Sequence, residues 1–92
     1  MINVYRRKLR NCIRKDTFRY YLENDKDNFI WKCIENKFGP IVDFPKFNLV
    51  QIENEKFIMR KSMNEDAFTL IRKKQFTPED EVIIHQLIGF SE

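Results

Sequence analysis

The sequence predicts an α+β fold in one small domain covering residues 1–92, with two N-terminal helical segments, a central β-hairpin and two C-terminal helices. Three observations carry that expectation. Apolar residues recur at steps of three and four towards both ends of the chain, two extended apolar runs flank Glu53-Asn54-Glu55-Lys56, and the two glycines, Gly39 and Gly89, stand where helices should stop. Thirteen aromatic residues, nine of them Phe, supply large buried areas to a chain whose 42% hydrophobic and 34% charged content is that of a globular domain.

In the first segment Ile2, Tyr5, Leu9, Cys12 and Ile13 gather on one stripe of a helical wheel. Arg7, Arg10 and Arg14 form a row on the other side, and Lys8, Lys15 and Arg19 a second row beside it, so this helix is expected to be amphipathic with a cationic polar face. Asp16-Thr17 interrupts it or caps a second helical segment through Phe18, Tyr20, Tyr21 and Leu22. Residues 23–28 contain no apolar side chain and read as a loop, with Asp27 or Asn28 placed to cap a helix running to Phe38. Ile30, Trp31, Ile34 and Phe38 share its buried face, and Gly39-Pro40 ends it, glycine suiting a left-handed position after the last turn.

Pro40 to Pro45 reads as an irregular or extended crossing. Phe47–Ile52 and Phe57–Lys61 then read as the hairpin, with Ile52 opposite Phe57, Val50 opposite Met59 and Glu53 opposite Lys56. Asn64 is placed to cap a helix carrying Ala67, Phe68, Leu70 and Ile71. Thr77-Pro78-Glu79-Asp80 opens the last helix: threonine accepts from first-turn amides, proline fits the first helical position, and the acids meet the positive end of the dipole. Val82, Ile83, Leu87 and Ile88 are its expected inner face.

Charge is sorted along the chain. The first twenty residues hold seven of the 17 Lys and Arg against one acid, Asp16, whereas from Pro78 onward there are four acids and no Lys or Arg. A local field of that kind attracts phosphate or an acidic partner even though the net charge is only +3. Cys12 and Cys33 lack metal-ligand spacing and read as small buried hydrophobes in a reducing compartment. No run of 18 apolar residues and no secretory apolar core stand in the sequence, so a cytoplasmic location without membrane insertion is expected.

Catalytic constellations are thin. His85 is the lone histidine and pairs most simply with Glu81 four residues earlier near a helix C-terminus. Asp43, Glu53 and Glu55 do not meet a metal-nuclease pattern, because Asn54 rather than an acid stands two residues before Lys56. Residues 64–88 resemble a helix-turn-helix in outline, but Glu79, Asp80 and Glu81 would meet phosphate at the start of the reading helix.

The sequence therefore points to a non-catalytic protein with no cofactor and no metal. The first expectation is a nucleic-acid-associated regulator that grips the phosphate backbone of DNA or RNA through Arg6, Arg7, Lys8, Arg10, Arg14, Lys15 and Arg19 on the basic amphipathic helix. Tyr20, Tyr21 and Trp31 would stack on unpaired bases if exposed, and otherwise belong to the core. A competing expectation is a small modulator or inhibitor of a host enzyme, docking on an acidic protein surface through its charged poles as a monomer or homodimer. Richness in Lys, Asn, Ile and Phe fits an AT-rich coding source such as a large phage or a low-GC bacterium.

Overall fold

The computed structural model describes residues 3–8, 17–23 and 25–90. They form β1 (Asn3–Lys8), β2 (Thr17–Glu23), α1 (Phe29–Phe38), β3 (Val42–Phe44), β4 (Leu49–Glu53), β5 (Phe57–Ser62), β6 (Ala67–Arg72) and α2 (Pro78–Ile88). The strands make one antiparallel sheet in the order β1-β2-β6-β5-β4-β3. Strands β3 to β6 run as a meander, β6 closes against β2, and α1 carries the chain from β2 to the far edge of the sheet.

Both helices pack on one face. Along β2, β6, β5 and β4 the residues Phe18, Tyr20, Leu22, Phe68, Leu70, Phe57, Met59, Val50 and Ile52 join Ile30, Trp31 and Ile34 of α1 and Ile84 and Ile88 of α2 in one core. At about 1.5–3 kcal/mol for each fully buried large apolar side chain, this layer supplies most of the favourable free energy of folding. Its period of two along each strand leaves every second residue on a face that no described helix covers.

The expected architecture of two N-terminal helical segments, a hairpin and two C-terminal helices is overturned by this sheet. Residues 3–8 and 17–23 are strands, and residues 9–16 of the expected first helix, Arg10, Arg14 and Lys15 among them, lie outside the described residues. In β2 the alternation Phe18, Tyr20, Leu22 inward and Arg19, Tyr21 outward is a strand period, and strand pairing on both sides makes it decisive. The expected helix at 64–71 is β6, a central strand paired with β2 on one side and β5 on the other. Apolar Ala67 and Ile71 stand on its open face and Phe68 and Leu70 on its core face, so the strand shows no clean alternation and its apolar run mimics helical spacing. The helix-turn-helix outline of 64–88 falls with it.

The hairpin forms between β4 and β5, but two residues out of the expected register: Ile52 pairs with Met59 and Val50 with Lys61. A shift of two keeps each side chain on its face, so Val50, Ile52, Phe57 and Met59 still point to the core. Asn54 sets the turn by accepting at Oδ1 from the amides of Lys56 at 2.8 Å and Phe57 at 3.0 Å. The crossing at 40–45 contains the short edge strand β3.

Helix ends follow local chemistry. Thr77 and Asp80 form a reciprocal capping box at the start of α2, with Pro78 in the first turn, and Gly89 takes the left-handed conformation at φ 74° after it. The start of α1 is served from further back than expected, by Asp25, whose carboxylate accepts from the amide of Ile30 at 3.0 Å. Gly39 is not left-handed, with φ at −49°; a Cβ there would stand 2.6 Å from the Glu35 carbonyl oxygen, so lack of space demands the glycine. The inner face of α2 is Ile84 and Ile88 with Leu87 packed beside them, so Leu87 and Ile88 stand as expected, while Val82 and Ile83 are exposed, contrary to expectation.

Lys61 is a buried cation, 1% exposed on the core side of β5. Its Nζ donates to the carbonyls of Ser62 at 3.1 Å and Glu65 at 2.5 Å, stitching down the turn between β5 and β6. Loss of solvent lowers its pKa, with Asp66, Asp25 and Glu65 opposing that shift.

Candidate nucleic-acid interface

The pleat separates the cations of β1. Arg6 points to the helix-covered side, where Nη1 donates to Glu81 Oε1 at 3.0 Å and, more weakly, to the Tyr20 hydroxyl at 3.4 Å. Its guanidinium also stands 4.6 Å from the Phe18 ring centroid, and Arg72 lies at the same distance from that ring while donating to Glu81 Oε2 at 3.3 Å. One carboxylate on α2 thus holds one guanidinium from β1 and one from β6. Loss of solvent lowers the Arg6 pKa, but the Tyr20 and Glu81 oxygens outweigh it and the net shift is upward. The expected outward role of Arg6 is replaced by a clasp between α2 and the sheet.

Arg7 is exposed on the open face. Strand pairing sets Arg7 opposite Arg19, Arg19 opposite Thr69, Thr69 opposite Arg60, Arg60 opposite Gln51 and Gln51 opposite Val42. Five polar side chains therefore form one transverse line across β1, β2, β6, β5 and β4. At about 4.8 Å per strand gap, Arg7 and Arg60 are about 14 Å apart along that line. Arg19 Nη1 donates to Thr69 Oγ1 at 3.3 Å, its Nη2 contacts the Glu65 carboxylate, and Arg60 Nε donates to Gln51 Oε1 at 2.8 Å. Arg7 forms no ion pair among the described residues. Two arginines directly opposite in an antiparallel pair disfavour the fold, and an anion lying across them would relieve the repulsion.

A second transverse line runs about 7 Å from the first, two residues along the strands. Tyr5 and Tyr21 head it, stacked with centroids 4.7 Å apart and planes inclined by 12°, and Tyr5 is 44% exposed. Partial loss of solvent and the adjacent Glu23 carboxylate push the Tyr5 phenol above its ordinary pKa. Beside Tyr21 lies a shallow cavity of about 340 Å³ lined by Arg19, Tyr21, Glu23, Glu65, Asp66 and Ala67. The Arg19 guanidinium stands 5.6 Å from the Tyr21 ring centroid. Of the three aromatics expected as stacking candidates, Tyr20 and Trp31 are core residues and Tyr21 alone reaches this face.

A larger cleft of about 500 Å³ under α2 is lined in part by Arg72, Thr77, Glu81 and His85. His85 Nε2 and the fully buried Tyr20 hydroxyl are hydrogen-bonded at 2.8 Å, and Glu81 Oε1 is 3.9 Å from the same nitrogen, which fits the expected Glu81 pairing. Burial raises the Tyr20 pKa despite the opposing Arg6. With the Arg6 and Arg72 clasp, this network fastens α2 to the sheet.

Of the seven cations expected to bind, Arg7 and Arg19 meet on the open face and Arg6 faces the helices. The backbone of Lys8 pairs with that of Phe18, and Arg10, Arg14 and Lys15 lie outside the described residues. Sequence reasoning missed Tyr5, Gln51, Arg60 and Thr69. Their alignment arises from pairing between strands distant in sequence, although the alternation of Ile58, Arg60 and Ser62 with Phe57, Met59 and Lys61 is visible in β5 itself. No protein-family model, curated protein or solved structure matches this chain. Among the described residues, no helix is long and apolar enough to cross a membrane, and no cluster of three or more His, Cys, Asp or Glu has the makings of a metal site.

Proposed function

We propose that this protein is a non-catalytic nucleic-acid-binding regulator whose contact surface is the open face of the sheet. The carrying observation is the transverse line Arg7, Arg19, Thr69, Arg60 and Gln51, in which Arg7 has no ion pair among the described residues, beside the stacked Tyr5 and Tyr21. Arginine matches phosphate with two parallel donors, and an open sheet with exposed aromatics is a platform on which bases stack. Arg10, Arg14 and Lys15 fall in the sequence between β1 and β2 and add three further cations to this end of the chain.

Binding of fluorescein-labelled oligonucleotides measured across a salt series tests the proposal. Affinity should fall with salt at a logarithmic slope of about −0.7 per phosphate neutralised on a single strand or −0.9 on duplex. Replacing Arg7, Arg19 and Arg60 together by Ala should flatten the slope by about two to three phosphates' worth. Equal binding and slope in the triple variant would remove the open face from the interface.

A second reading, a modulator of another protein, draws on the far edge of the sheet, where Ile41, Val42 and Phe47 are exposed, Phe47 by 75%. It expects a stoichiometric protein partner retained after nuclease treatment by the wild-type chain and lost by Val42→Asp with Phe47→Ala. The arginine variants would retain it.

A further inference from the structure

Resting on the nucleic-acid reading, we infer that the open face takes a single strand and seats one unpaired guanine in the cavity beside Tyr21. The spacing of the two transverse lines argues for a single strand. Phosphates on the Arg7, Arg19 and Arg60 line put bases on the tyrosine line about 7 Å away, a position that paired bases stacked inside a duplex do not reach.

The cavity's own chemistry argues for guanine. Ala67, the smallest side chain on this face of β6, and Tyr21 both line it, which offers a planar group a small residue and an aromatic ring. At about 340 Å³ it is within the size range of small-molecule sites. The hydrogen-bonding side chains around it are three carboxylates, one guanidinium and the Tyr21 hydroxyl. Glu65 holds Arg19, Glu23 sits beside the Tyr5 phenol, and neither Glu23 nor Asp66 forms an ion pair among the described residues.

Ionised carboxylates only accept. Guanine presents two adjacent donors, N1–H and N2–H, which match the two oxygens of one carboxylate, and an O6 acceptor that suits Arg19. Adenine and cytosine place a ring-nitrogen lone pair beside their amine, which a carboxylate repels. Uracil places a single N–H between two carbonyl oxygens. Guanine is therefore selected by attraction and the other bases are rejected by mismatched lone pairs.

The experiment uses ten-nucleotide uridine strands with a central guanosine, inosine or adenosine, in ribo and deoxyribo form, and the guanosine strand annealed to its complement. Inosine keeps N1–H and O6 but lacks the N2 amine. Single strands should bind at least tenfold tighter than duplex at matched salt, and guanosine about tenfold tighter than inosine, as expected for one hydrogen bond to a charged acceptor. The Glu23→Gln, Asp66→Asn double variant should lose the guanosine preference and keep the salt slope. Binding of single strands without base preference, or duplex binding of equal strength, overturns this inference and leaves the nucleic-acid reading intact. No binding of any strand overturns both.

Discussion

Arg6 and Arg7 are adjacent in sequence and alike in chemistry, yet the pleat of β1 sends them to opposite faces with opposite consequences. On the covered face Arg6 is half-buried against Phe18 and Tyr20 and tied to Glu81, so its charge holds α2 in place. On the open face Arg7 stands against Arg19, a pairing that works against the fold. The same contrast runs through the sheet: covered positions are filled for packing, and open positions carry a line of donors beside stacked tyrosines that packing does not require. Among these, Arg7 opposes local stability with no ion pair among the described residues to offset it.

Four measurements would break or sharpen that contrast. The largest effect is expected in β6, where Phe68→Ala should cost about 3–5 kcal/mol by urea unfolding, because it empties a core position. Thr69→Ala, its neighbour on the other face, should cost under about 1 kcal/mol. Comparable losses would mean that the open face is packed as tightly as the other. Glu81→Gln should cost about 1–3 kcal/mol, between a surface and a buried pair, since Arg6 and Arg72 lose their shared carboxylate while retaining about a quarter or less of their side-chain exposure. A loss well below that range would dissolve the clasp.

Asp80→Ala should cost about 1 kcal/mol through the capping box. The hydrogen bond from Thr77 holds the Asp80 pKa below its ordinary 3.8, so this contribution is complete above that value and disappears as pH falls through the depressed one. Unfolding midpoints taken from pH 6 down to pH 2 should therefore drop less in Asp80→Asn than in wild type. Last, Arg7→Glu should stabilise by about 0.2–1 kcal/mol, turning a like-charge pair into an attractive one, while weakening oligonucleotide binding. A lower melting temperature for Arg7→Glu would contradict the reading of the open face.

Much of α1, α2 and the hairpin was legible because their signals are local. The Thr77-Pro78-Glu79-Asp80 start, the Gly89 stop and the Asn54 turn each act within a few residues. The strands β1, β2 and β6 were not legible as such. Tyr5 and Leu9 fit a helical stripe by spacing alone, and apolar residues on both faces of β6 hid the alternation that marks a half-exposed strand. The candidate site was legible in composition, as an excess of N-terminal arginine and tyrosine, but not in place. Arg60 and Thr69 join Arg7 and Arg19 only through a register linking residues more than forty positions apart.

What the chain determined by itself was the inventory: where helices can start and stop, which residues need burial, and a surplus of cations towards one end. Which face each cation occupies was decided by tertiary pairing. In a sheet the hydrogen bonds that set direction and register are made between separate segments, so a side chain's orientation becomes definite only when its neighbour strand is in place.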